Sequence, residues 1–240
     1  MYNGKVILNV LCEGQTEAEF VKRVLVHHLQ PFDIATKYQL LETSKKKKAR
    51  GGLLSYQQAR GDLMLWMKQV AHRDSEVHYF TTMFDLYALP KDFPSYSKVQ
   101  HIQDIYLRVD KLESAFKQDI GSDRFIPYIQ IYEFEALLFC NIEKLADKFR
   151  QCDREIKKLE KILDQYQGNP EYIDGGLDTA PSKRILKALE KSDTRYNKPQ
   201  MGGELTAAIG MDTLKANCRH FSTWVEKLER LGDRNATTSI

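Results

Sequence analysis

The chain has no apolar run near the roughly 18 residues that a bilayer-spanning helix requires, so membrane insertion is not expected. Nor does it open on a basic stretch followed by a long apolar core, and no secretory leader is expected either. Cysteine is scarce: Cys12, Cys140, Cys152 and Cys218 form no CxxC pair. That spacing supports neither a zinc site nor a disulfide framework, and a reducing cytoplasm suits it. An excess of one charge is also lacking. Lys and Arg number 36 against 33 Asp and Glu, a formal net charge of +3, so any basic surface must be local. There is no glycine-rich phosphate loop ending in Lys and Ser or Thr, so no ATPase is encoded. No internal repeat occurs.

What is present is an ordinary globular balance, with 42% hydrophobic and 29% charged residues. Lys5 to Cys12 is apolar nearly throughout, as a strand covered on both faces should be. Glu13-Gly14-Gln15 breaks it, and Thr16 with Glu19 reads as a capping box opening a helix that ends at Pro31. Tyr38–Leu41 reads as a second strand, and Leu53–His72 as a helix. Val77–Phe84 and Phe125–Tyr132 are further strands, with helices over Val99–Phe116 and Glu133–Phe149. This alternation predicts an α/β fold, a mainly parallel sheet flanked by helices, over residues 1–152. Residues 153–232 read as a helical C-terminal extension packed on it, with helices over Pro181–Leu189, Leu205–Ile209 and Phe221–Leu231. Residues 233–240 read as a frayed tail.

Ligand sites in parallel α/β sheets lie beyond the carboxyl ends of strands. Three strand ends here carry acids: Glu13, Asp85, and Glu133 with Glu135. If the strands are neighbours, the acids converge. Clustered carboxylates repel one another unless a cation is present, and oxygen ligands suit Mg2+ or Mn2+. Each acid also has a plainer reading as a turn or cap residue. Glu17 falls in the first helical turn, where an acid suits the dipole.

Five cations occupy Lys45, Lys46, Lys47, Lys48 and Arg50, with no acid among them. Such a loop either holds a phosphate backbone or is simply solvated. Lys183 and Arg184 follow Pro181 at an expected helix start, where the dipole disfavours cations. A bound phosphate or mere exposure accounts for them. His220, beside an aromatic helix, reads as structural.

The turn Glu13-Gly14-Gln15-Thr16-Glu17 and the later Asp85-Leu86-Tyr87 resemble the two motifs of Toprim domains, the second normally being Asp-x-Asp. More closely, the chain resembles the Toprim-like domain-of-unknown-function family 4276. The matching segments are Glu13–Glu17, Asp85–Tyr87 with Leu89-Pro90 and Phe93-Pro94, Glu133–Phe139, Ala180–Arg184 and Cys218–Trp224. The resemblance implies a Toprim-like fold and a magnesium-dependent site. Glu13 would be its general acid or base, and Asp85 a metal ligand. Tyr87 stands where the second Asp belongs. A phenol is a poor magnesium ligand, and Glu133 or Glu135 is the candidate replacement. The resemblance also implies a partner ATPase and a setting in bacterial defence. Two main functions follow as expectations. One is a metal-dependent nuclease acting on DNA or RNA. The other is a module with a degraded site that binds an ATPase or nucleic acid without cutting. A plain nucleic-acid-binding module using the basic loop is a third.

Overall fold

The computed structural model describes residues 4–41, 53–71, 75–174, 176, 178–190, 192 and 196–233. The basic stretch Lys45–Arg50 and most of the expected frayed tail lie outside them.

Strand β1 (Lys5–Cys12) turns at Gly14 into α1 (Gln15–Phe20). A π-helical segment, Val21–Leu25, follows, and then α2 (Val26–Leu29). Strand β2 (Ile34–Leu40) begins four residues before the expected Tyr38. Most of it has exposed side chains, which weakened its apolar signature. Helix α3 (Tyr56–Val70) leads to β3 (Glu76–Asp85). After the short α4 (Tyr96–Val99), helix α5 spans Ile105–Ile120, not the expected Val99–Phe116. Asp104 moves its start by accepting the N–H of Leu107, and Gly121, at φ 67°, ends it.

The expected strand over Phe125–Tyr132 is two pieces, β4 (Phe125–Ile126) and β5 (Ile129–Gln130). Pro127 has no N–H to offer a ladder. The Thr82 hydroxyl bridges the gap, accepting the N–H of Tyr128 at 3.1 Å and donating to its carbonyl at 3.0 Å. The sheet order is β2-β1-β3-β4, with β5 also on β3, and every pairing is parallel. All carboxyl ends therefore face one rim.

Both faces are covered. Leu11, Phe80 and Phe84 pack under α3 and α5. Leu8, Val10 and Met83 face the first helix and the C-terminal helices. This double covering is why β1 is apolar nearly throughout.

The expected helix over Glu133–Phe149 is a 3-10 run, Phe134–Asn141, followed by α6 (Ile142–Lys148). Its apolar residues are buried all round, so they carry no helical stripe. Then come α7 (Asp153–Gln165), α8 (Pro181–Ala188), α9 (Lys198–Ile209), α10 (Met211–Asn217) and α11 (Arg219–Glu229). Trp224 of α11 lies 4.2 Å from the Tyr128 ring, stacked, and its indole N–H donates to Thr81 of β3 at 2.9 Å. The helical part is thereby fastened to the centre of the sheet. Among the described residues no helix is long and apolar enough to cross a membrane.

Candidate functional site

The parallel sheet brings the predicted acids to one rim, and backbone amides hold them there. Glu13 follows β1; its Oε2 accepts the N–H of Asp85 at 2.9 Å and its Oε1 that of Leu53 at 3.4 Å. Asp85 ends β3, and its Oδ1 accepts the N–H of Phe134 at 3.0 Å. Glu133 precedes the 3-10 run, and its Oε2 accepts the N–H of Ser182 at 3.0 Å. Glu135 lies in the first turn of that run, its Oε1 2.9 Å from Nζ of Lys198, the first residue of α9. Tyr132 reaches this turn at φ 57°, a left-handed conformation that costs a bulky residue energy. Its carbonyl accepts the N–H of Tyr87 at 3.0 Å, so the loop after Asp85 and the turn before Glu133 brace each other.

A fifth acid joins them. The helix is capped not by Thr16 and Glu19 but at Gly14, whose N–H donates to Oε2 of Glu17 at 2.8 Å. The helix starts earlier than a hydroxyl N-cap implies, because Gly14 already has the extended backbone of the cap. Glu17 is thus turned inward and buried, while Glu19 faces Arg23 at 2.7 Å and Lys22. Glu17 and Lys198 were both missed as site residues. The acid-x-x-x-acid spacing of Glu13 and Glu17 was a usable signal for the first; Lys198 had none.

Electrostatics follow from the crowding. Burial, then the charge of Glu13, pushes the Glu17 carboxyl up to about 8. Burial also holds Asp85 well above the usual carboxylate range, with Glu17, Glu13, Glu135 and Glu133 adding to it. Glu13 is raised by burial against the pull of its two amide donors. Glu135 is raised by burial although Lys198 opposes it. Burial would lower Lys198, but Glu135 outweighs it and the ammonium is held more tightly than usual. The Tyr196 hydroxyl is buried without a hydrogen-bond partner among the described residues, and burial beside Glu135 and Glu133 raises it.

The five carboxylates offer oxygen donors alone, which fits a hard divalent cation. Among the described residues, however, no three ligating side chains converge closely enough to hold one ion. The carboxylates are drawn onto backbone amides, and Glu135 onto Lys198. Among the described residues, that lysine is the cation paired with the cluster, from its edge.

The basic candidates fare differently. Lys45, Lys46, Lys47, Lys48 and Arg50 lie outside the described residues. Lys183 is exposed on α8. Arg184 instead braces its own chain, donating to the Thr179 carbonyl and the Tyr166 hydroxyl and approaching Asp174 at 3.8 Å. The anion at this helix start is a carboxylate of the protein itself, Glu133. Tyr87 is 48% exposed, beside the rim rather than inside it. His220 is part-buried between Glu113, at 3.0 Å, and the Tyr128 ring, a packing contact away from the acidic rim.

The architecture is therefore that of an α/β protein with an acidic site on the carboxyl rim of a parallel sheet. The chain belongs to the family described as domain of unknown function DUF4276, whose model matches residues 12–229. No curated protein and no solved structure shows significant similarity to it.

Proposed function

We propose that this protein is a Toprim-like, magnesium- or manganese-dependent nuclease that hydrolyses phosphodiester bonds in DNA or RNA. The observation that carries the reading is the gathering of Glu13, Glu17, Asp85, Glu133 and Glu135 on one rim despite their mutual repulsion. Stability alone gives no reason to bury like charges together. Asp85, Glu133, Glu135 and Glu17 would hold the cation once their side chains rotate from their present amide partners. A bound divalent ion supplies charge stabilisation for the transferring phosphoryl group and acidifies water. Glu13, held by two amides and raised by burial, is suited to carry a proton to or from the reacting oxygens. The unpaired Tyr196 hydroxyl and Lys198 are donors that a phosphate oxygen would satisfy. The basic stretch Lys45–Arg50 would hold the nucleic-acid backbone, with the exposed Lys183 as a further contact. The family resemblance adds a partner ATPase and a place in bacterial antiviral defence, and the cysteine spacing suits a reducing cytoplasm.

The test is cleavage of single-stranded and duplex DNA and RNA with Mg2+, Mn2+ or EDTA. Metal-dependent cleavage lost in Glu13→Gln and Asp85→Asn is the expected outcome. No cleavage of any substrate, with no metal-dependent change in melting temperature, would refute it.

A second reading has its own observation. Tyr87 is exposed at the second Toprim acid position, and Lys198 already neutralises Glu135. On that reading the rim is a retired site, and the protein binds an ATPase or nucleic acid without cutting. It expects binding with no metal response.

A further inference from the structure

Two of the four thiols, distant in sequence, meet in the fold. Cys140 lies near the end of the 3-10 run Phe134–Asn141, and Cys218 is the N-cap of α11. Their sulfurs are 3.4 Å apart. A disulfide bond is about 2.05 Å long, so closure requires an approach of about 1.4 Å, within the range of side-chain rotation. All four cysteines are free thiols. Cys12, Cys152 and Cys218 are buried, and Cys140 alone is partly open to solvent.

The surroundings divide the roles. Cys218 hydrogen-bonds with Cys140 and is fully buried, and both effects push its thiol well above its ordinary range. It therefore remains a thiol at neutral pH. Cys140 is the sulfur that a dissolved oxidant reaches first.

We propose that Cys140 and Cys218 form a reversible thiol–disulfide site that responds to hydroperoxides. The Cys140 thiolate attacks one peroxide oxygen and the O–O bond breaks. Hydroxide leaves and takes up the proton that the thiol released, giving water and a sulfenic acid on Cys140. The Cys218 sulfur then attacks the Cys140 sulfur and the S–O bond breaks. Hydroxide leaves with the Cys218 proton as a second water. Two thiols and one hydrogen peroxide thus become one disulfide and two waters. The sulfur pair gives up two electrons, and the peroxide oxygens receive them. In a reducing compartment the pair rests as thiols and closes only under oxidant.

The bond would join two parts of the molecule with different duties. The 3-10 run starts at the turn bearing Glu133 and Glu135. Two first-turn N–H groups of α11, on His220 and Phe221, are held by the buried Glu171 at 3.0 Å each. Oxidation would fix the acid-bearing segment to the C-terminal helix.

The experiment uses the full chain, reduced, freed of reductant and exposed to hydrogen peroxide. Thiol titration in denaturant should show two of the four thiols lost. A non-reducing digest should contain one cross-linked pair joining Cys140 to Cys218. Melting temperature should rise on the order of 10 °C, as expected for closing so long a loop, and dithiothreitol should reverse it. In Cys218→Ser, Cys140 should stop at the sulfenic acid and be captured by dimedone. Should that buried substitution prevent folding, Cys140→Ser at the more open position must abolish the cross-link by itself. Four surviving thiols in peroxide-treated wild type would overturn the proposal. So would a different cross-linked pair, or Cys140 passing to the sulfinic acid with no cross-link.

Discussion

Replacing Glu17 with Gln tests whether the acids burden the metal-free fold. Glu17 is 6% exposed, and burial followed by Glu13 lifts its carboxyl from 4.5 to about 8. Between those values the folded protein keeps a proton that the unfolded chain has released. Stability then falls as pH rises through the window, and below it this group has no effect. The slope is at most about 1.4 kcal/mol per pH unit, so the loss near pH 7 approaches roughly 3 kcal/mol. Neighbouring carboxyls titrate together, and the share relieved by one substitution is about 1–3 kcal/mol. Glutamine is close in shape and still accepts the Gly14 N–H, so this cap contact survives. In EDTA near pH 7.5 the variant should exceed wild type by that amount, a gain of roughly 2–10 °C in melting temperature. Near pH 4.5 the two should coincide. Magnesium should narrow the gap, because it relieves wild type and finds one carboxylate fewer in the variant. Urea unfolding followed by circular dichroism across this pH range measures it. A variant less stable than wild type near pH 8, or an advantage independent of pH, would show that the Glu17 carboxyl is not raised in the folded protein.

Asp85→Asn should also melt above wild type without metal but lose most of the metal response. For wild type at a hundredfold excess over the dissociation constant that response is about 2.7 kcal/mol, or roughly 5–10 °C; an undiminished response removes Asp85 from the ligands. His220 is opposed by burial, but Glu113 and Glu171 outweigh this and raise it. Its clamp on Glu113 is therefore strongest below about pH 6.5 and fades as pH rises through the raised folded value. His220→Gln should cost about 1–3 kcal/mol near pH 6 and less at higher pH, and a cost growing with pH in the same unfolding series would contradict the assignment. Gly203→Ala should destabilise by about 1–3 kcal/mol, because the new Cβ would lie 2.9 Å from the Glu19 Cβ and 3.1 Å from its backbone carbon. Gly61→Ala in α3 meets nothing within 4 Å and should instead gain up to about 1 kcal/mol; equal effects in chemical denaturation would refute the close approach of α9 to α1.

The sheet was legible where burial leaves a compositional trace. β1 and β3 are covered on both faces, and their apolar runs named them. β2 buries Ile34 fully and only half-buries Ala35 and Thr36, so its first half makes no apolar run, and β5 is separated from β4 by a proline whose consequence depends on Thr82 across the sheet. The acids at the rim could be read because a parallel sheet sends all its strand ends one way. Glu17 was assigned to the helix dipole because two capping templates overlap, Gly14 with Glu17 and Thr16 with Glu19. Only the backbone at Gly14 decides between them. Lys198 reaches Glu135 through the packing of α9 on α1, where Gly202 and Gly203 admit Thr16 and Glu19 at near contact. Such long-range placement leaves no local pattern, and the same holds for Cys140 and Cys218.

The two contacts that Glu133 and Glu135 make with Ser182 and Lys198 have a bearing on how this chain can be divided. By composition it looks like an α/β core followed by a helical appendage, with a convenient seam near residue 153. Yet the appendage supplies the amide that orients one acid and the ammonium that neutralises another. A fragment ending at the seam would expose the apolar face under Trp224 and leave both carboxylates without their partners. Exchange of the C-terminal helices between relatives would likewise alter the charge of the rim, not merely its cover. The two halves must be inherited, and engineered, as one piece.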